Sequence, residues 1–154
     1  MQIRRAEERD IPAVMELLEQ VGMVHHNGRP DLFKPHATKY TPGELAAIFA
    51  DDERPVFVWE DDAVRGYTFC VVQQQPASHV MTEIKTLYID DLCVDAAHRG
   101  RHVGRALYEH VLEYARQIGC YNVTLNVWAL NEPALRFYEK CGLMPQKIGM
   151  EKIL

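Results

Sequence analysis

The stretch IKTLYIDDLCVDAAHRGRHVGRALYEHVLEYARQIGCYNVTLNVW, Ile84 to Trp128, decides the fold. Its first part, Ile84 to Val94, is rich in β-branched and aromatic residues and ends at the polar run Asp95 to His102, which predicts a strand followed by a loop. From Val103 to Ile118 the apolar residues Val103, Leu107, Val111, Ala115 and Ile118 recur at three- and four-residue steps, the pattern of an amphipathic helix. Gly119 supplies the left-handed residue that ends many helices. Asn122 to Trp128 then predicts a second strand. Strand, helix and strand in this order make a right-handed βαβ crossover and place two parallel strands side by side.

Outward from that unit, the N-terminal half predicts the rest of the sheet. Met1 to Arg4 is a short strand. Asp10 stands where it can cap a helix whose apolar positions Ile11, Val14, Leu17, Leu18 and Val21 keep the helical period to about Val21. Gly22 to Tyr40 mixes Gly, Pro, His and charge and reads as a long loop with one helical turn, of a length often used for binding. Thr41-Pro42-Gly43-Glu44 is a capping box with Pro at the first helical position, so a second helix runs through Leu45, Ile48 and Phe49. Pro55 to Glu60 and Arg65 to Gln73, joined by the turn Asp61-Asp62, predict an antiparallel hairpin. Downstream, a short helix spans about Pro133 to Cys141 and closes at Gly142, and Lys147 to Leu154 can add a last strand. The fold class is α/β with a mixed central sheet flanked by about four helices, in one domain spanning residues 1–154.

The 154 residues suffice for one ordinary hydrophobic core. Acidic residues number 22 against 17 basic, a formal charge of -5; this disfavours nucleic acid as a general partner and is better suited to a cationic substrate. The four cysteines Cys70, Cys93, Cys120 and Cys141 form no C-x-x-C pair and lie among apolar or helical residues, which fits a reducing cytoplasm. No apolar run approaches the ~18 residues of a membrane span, and the first residues lack the apolar stretch of an export signal, so neither membrane nor export is expected.

Between strand and helix, His98 to Ala106 (HRGRHVGRA) surrounds a helix start with glycines and cations. A helix N-terminus offers unpaired N–H groups and the positive end of the dipole to an anion. Gly100 and Gly104 permit close approach, and Arg99, Arg101 and Arg105 add charge. On these residues alone the segment reads equally as a phosphate-binding loop or as an ordinary loop-to-helix cap. It has neither the G-K-[ST] ending of a P-loop nor the G-x-G-x-x-G spacing of a dinucleotide fold.

The run Asp90-Asp91-Leu92-Cys93-Val94 followed by Arg99-Gly100-Arg101-His102-Val103-Gly104 resembles the acetyl-CoA motif of the GNAT N-acetyltransferase superfamily, R/Q-x-x-G-x-G/A after a strand. Asn131 to Leu143 (NEPALRFYEKCGL) is similar to that family's N-x-x-A-x-x-F-Y-x-x-x-G-F helix. The two motifs together cover roughly Asp90 to Leu143, and within the superfamily their details look most like polyamine and small-amine acetyltransferases, with protein N-terminal acetyltransferases near. His102 stands where the family usually has its first motif glycine, and must therefore accept a positive or bridge φ.

The resemblance implies an acetyl-CoA-dependent N-acetyltransferase acting on a small-molecule or peptide amine, without metal, and a possible homodimer. It implies Asp90 as the acidic group that holds or deprotonates the amine, a backbone N–H near Leu92 or Cys93 as the oxyanion donor, and Leu92, Cys93 and Val94 as partners of the pantetheine arm. It implies Arg99 to Arg105 on the pyrophosphate, Asn131 and Ala134 on the cofactor, and Tyr138 as the acid that protonates the leaving thiolate. From the residues alone, strand alternation sends Asp90 and Asp91 to opposite faces, so only one looks into the cleft; either carboxylate also reads as a surface or capping group. Tyr138 alone reads as a core aromatic, and Trp59 and Trp128 as core or hairpin residues. Cys93 in an apolar strand reads as inert. His25, His26 and His36 match no zinc spacing and read as a solvated loop lining a substrate entrance. The alternative function is a CoA-binding or sensing module that has lost its chemistry.

Overall fold

A computed structural model describes all residues, Met1 to Leu154. Five strands, β1 (Gln2–Arg5), β2 (Val56–Glu60), β3 (Val64–Gln74), β4 (Lys85–Val94) and β5 (Asn122–Leu125), form one sheet in sequential order. The first four are antiparallel neighbours and β5 is parallel to β4, so the sheet is mixed as expected. Four helices flank it: α1 (Ile11–Gly28), α2 (Pro42–Phe49), α3 (Val103–Gln117) and α4 (Glu132–Lys140).

The buried stripe predicted for α3 is realised by Val103, Leu107, Val111 and Ala115, and Gly119 takes φ +77° to end it. Thr41 and Glu44 exchange the two hydrogen bonds of the capping box at α2. The β2–β3 turn is held by the Asp61 carboxylate, which accepts from the Ala63 N–H at 3.1 Å and from Arg65. Apolar residues bury in two clusters, one on each face. Val14, Leu17, Leu18, Leu45 and Ile48 pack on Val58, Tyr67, Phe69 and Cys93, while Tyr108, Val111 and Ala115 of α3 lie against the other side with Cys70, Leu87 and Ile89.

Four expectations are corrected. Helix α1 continues to Gly28 and carries His25 and His26, which sequence placed in a loop. Gly22 does not stop it; a Cβ there would lie 2.5 Å from the Ala37 carbonyl oxygen, so the glycine lets the following connection cross the helix closely. Asp10 precedes α1 but does not cap it, because its carboxylate accepts from Arg4 at 2.7 and 2.9 Å and from the Glu7 N–H. Strand β5 ends at Leu125, short of Trp128, and Lys147 to Leu154 forms no strand. No helix is long and apolar enough to cross a membrane.

Candidate active site

The site begins with a register slip in β4. Pairing with β3 runs Phe69↔Asp91 and then Cys70↔Ile89, so Asp90 is the extra residue of a β-bulge. Leu87 and Ile89 bury on the α3 side and Cys93 on the α1 side. One inserted residue between them sends both Asp90 and Asp91 to the α1 side. The expectation that the two carboxylates point to opposite faces is therefore corrected: alternation holds only where no bulge intervenes.

The second feature is a fork. Strand β5 pairs with β4 only from Thr86↔Asn122 to Ile89↔Leu125, while β4 continues to Val94. Beyond Ile89 the edge of β4 facing β5 has no strand partner, leaving Leu92, Cys93 and Val94 available to an extended arm laid beside them.

A cavity of ≈ 540 Å³ opens at this fork, and Asp90, Asp91, Leu92, Asn131 and Tyr138 all border it. The Asp90 carboxylate accepts from the Tyr40 hydroxyl at 2.7 Å and from the Lys39 ammonium at 2.8 Å. Asp91 accepts from the Tyr67 hydroxyl at 2.6 Å. Burial raises the Asp91 carboxyl to about 6, against the opposing effects of the Tyr67 hydrogen bond and the Lys39 charge. Tyr138 is 9% exposed and its hydroxyl makes no hydrogen bond with the protein, yet it is not sealed off and faces the cavity. Burial first, and then the Asp91 charge, push its pKa well above the usual tyrosine value, so it keeps its proton.

At the start of α3, Gly100 takes φ +78° and His102 φ 62°, left-handed residues on either side of Arg101, the kind of turn from which an anion nest is built. His102 thus adopts the conformation its place in the motif required. The loop is anchored to α1 through Gln20, which donates to Asp95 at 3.0 Å and accepts from the Ala96 N–H, while Asp95 also pairs with His98 at 2.6 Å. Arg99 and Arg101 are exposed beside the nest. Arg105 is turned away, bonded to Glu109 and to the Lys140 carbonyl. Val103 is a core side chain, and Gly104 faces Phe137 of α4, where a Cβ would lie 3.4 Å from the ring. Asn131 caps α4 by accepting from the Ala134 N–H. Nest, open β4 edge and unpartnered tyrosine hydroxyl fit, in sequence, a diphosphate, an extended amide-bearing arm and a leaving group.

Sequence reasoning placed the Gly22 to Tyr40 connection and His25 at a substrate entrance, and both border the cavity, but it missed the residues that hold the two carboxylates. Tyr40, Tyr67 and Lys39 carry no motif that links them to β4. Phe33 meets Trp128 edge-on at 5.1 Å and His25 at 4.9 Å, so the α1–α2 connection touches the segment after β5 across the fork. Trp128, expected in the core or the hairpin, is 48% exposed and lines the cavity instead, because β5 ends before it. Gly28 supports this closure, since any Cβ there would meet Leu130 at 2.7 Å. The Cys93 thiol is buried and pushed up to about 12 by that burial, which leaves it unreactive at neutral pH.

The model of the acetyltransferase (GNAT) family matches residues 20–143. The chain belongs to that family. By this membership it is an acyltransferase, of a family that uses acetyl-CoA. A probable glucosamine 6-phosphate N-acetyltransferase of rice, Oryza sativa subsp. japonica, is 32% identical over 97% of this chain and 86% of its own length. An Arabidopsis thaliana glucosamine 6-phosphate N-acetyltransferase is 30% identical over 56% of this chain, which spans 64% of that relative. A crystal structure of a mutant BH1408 protein from Bacillus halodurans superposes with a TM-score of 0.96 at 31% identity, covering 100% of this chain and 99% of that one. Within the GNAT family, the expected nearness to polyamine acetyltransferases is corrected, since these relatives carry other names.

Proposed function

We propose that this GNAT protein N-acetylates a small-molecule primary amine, by direct attack of the amine on acetyl-CoA within the β4–β5 fork. The observation that carries this reading is the convergence of Asp91 and the free Tyr138 hydroxyl on one cavity beside an unpaired strand edge. Acetyl-CoA supplies the thioester and the sulfur leaving group.

A primary amine is protonated at neutral pH and must lose a proton before it can attack. Asp90, already bonded to an ammonium in Lys39, is the group that binds the incoming one. Asp91 accepts the proton; with a pKa of about 6 it is ionised at neutral pH yet more basic than an ordinary aspartate. This shifts the base from Asp90, the residue implied by the motif, to its neighbour. Tyr138 donates its hydroxyl proton to the departing sulfur. The pantetheine arm lies along Leu92 to Val94, and the nest at Gly100 to His102, with Arg99 and Arg101, holds the diphosphate. The contact of Phe33 with Trp128 across the fork favours a small molecule over a peptide, and the glucosamine 6-phosphate relatives support an amino sugar among the candidates.

The test is thiol release from acetyl-CoA by the purified protein across amino sugars, aminoglycosides, amino acids, polyamines and N-terminal peptides. Amine-dependent release with a small molecule is expected. Release with peptides alone, or with no amine despite CoA binding, would overturn the reading.

A further inference from the structure

The charges bordering the cavity have an arrangement that the acetyl transfer itself does not require. Two are carboxylates on β4, Asp90 and Asp91, and two are ammonium groups on the α1–α2 connection, Lys34 and Lys39. His25, which borders the same cavity, is held towards its neutral form by burial and by the Lys39 charge. At neutral pH the wall therefore sums to zero, with its negative groups on the sheet and its positive groups on the opposite connection.

Lys39 decides what this means for a substrate. Its ammonium sits 2.8 Å from Asp90, in the place where an incoming ammonium has to bind. The substrate amine displaces it, and a displaced Lys39 has no other carboxylate within salt-bridge distance. Lys34 is exposed and makes no ion pair or hydrogen bond at all. A substrate bearing only positive charge would thus break one internal pair, make one new pair, and face two unneutralised lysines across the cavity. A substrate bearing an amine and an anion exchanges one internal pair for two: its ammonium takes Asp90, and its anion takes the freed Lys39, with Lys34 bordering the same cavity. Phe33 and Trp128, packed edge to face, add apolar surface to the same cavity for the body of the molecule.

We infer that the amine accepted at this site carries an anionic group, a phosphate or carboxylate, bound by Lys39 and Lys34 after Lys39 has been displaced from Asp90 by the substrate ammonium. This inference rests on the acetyltransferase reading above and adds the substrate's charge class to it.

The experiment compares matched amines that differ only in the anion: glucosamine 6-phosphate with glucosamine, and phosphoethanolamine with ethanolamine, each by thiol release from acetyl-CoA. The expected result is a kcat/KM ratio of at least about ten in favour of the anionic member in one or both pairs, expressed mainly in KM and shrinking as salt is raised. K34Q and K39Q should each lower that ratio several-fold, and the double variant should bring it close to one. A general loss of folding or of catalysis would lower both members of a pair alike and leave the ratio unchanged, as would a purely structural role for either lysine, and this result would overturn the inference. Equal efficiency for both members in the wild-type protein would overturn it while leaving the acetyltransferase reading intact. No turnover of any amine would overturn both. Should a variant be insoluble, the wild-type ratio and its salt dependence still decide.

Discussion

Replacing Asp91 by asparagine should make the protein more stable and less active, and the stability gain should depend on pH. The carboxyl is displaced from 3.8 to about 6 because burial at the bulge penalises its charged form. That displacement corresponds to roughly 3 kcal/mol at full effect. Residual solvent access from the cleft reduces it, so about 1–3 kcal/mol is the range to expect. The folded-state value lies above the unfolded one. Folding therefore favours the neutral carboxyl; its contribution is fully present below about pH 4 and is lost as the pH rises through about 6. The D91N amide still accepts from the Tyr67 hydroxyl but never ionises. Urea unfolding of wild type and D91N should accordingly give a small gap at pH 4.5, about a third of the full effect, and a clear advantage for D91N at pH 8, or a Tm gain of roughly 4–8 °C for a change near 2 kcal/mol. Turnover by D91N should fall about 10²–10⁴-fold, and the wild-type decline in rate as the pH drops through about 6 should vanish from what remains. A variant no more stable than wild type at pH 8, or equally stabilised at both pH values, would refute the reasoning.

Tyr138→Phe keeps the ring in its packed position and removes only the unpartnered hydroxyl, so turnover should drop about 10²-fold or more while the Kd for CoA, read by titration calorimetry, stays within a few-fold of wild type. Because His102 holds φ 62°, His102→Val should destabilise the fold by about 1–2 kcal/mol relative to His102→Gly and weaken CoA binding, as urea unfolding and thermal shift would report. Gly22→Ala forces a Cβ to within 2.5 Å of the Ala37 oxygen; it should cost about 1–3 kcal/mol in unfolding experiments and raise the KM for the amine, because the displaced connection carries Lys34 and Lys39.

The central unit was legible because its signals were strong and local. The α3 stripe, the capping box at Thr41 and the glycines at 119 and 142 each act within one or two turns of chain, and β2 to β4 announced themselves by composition. Gly22 misled because a glycine chosen for close approach to Ala37 looks, in sequence, like one chosen to end a helix. The bulge at Asp90 had no sequence mark of its own, and without it the alternation rule separated two carboxylates that the fold brings together. Lys39, Tyr40 and Tyr67 reach β4 only through tertiary packing across 51, 50 and 24 positions, distances over which pattern reasoning has no purchase. The turn from Gly100 to His102 was marked in sequence by its glycines and cations and by the resemblance, and the one conformational expectation it carried, that His102 had to accept an unusual φ, is met.

The most direct test of the account follows the acetyl group itself. With labelled acetyl-CoA and an accepted amine, rapid quenching and mass spectrometry over a single turnover should show the label moving to the amine nitrogen in step with CoA release, with no labelled protein at any time. The same transfer should be much slower in Tyr138→Phe saturated with acetyl-CoA. Label appearing first on the chain, on Cys93 or any other side chain, would contradict direct transfer, and label remaining on CoA while the amine is bound would contradict catalysis at the β4–β5 fork altogether.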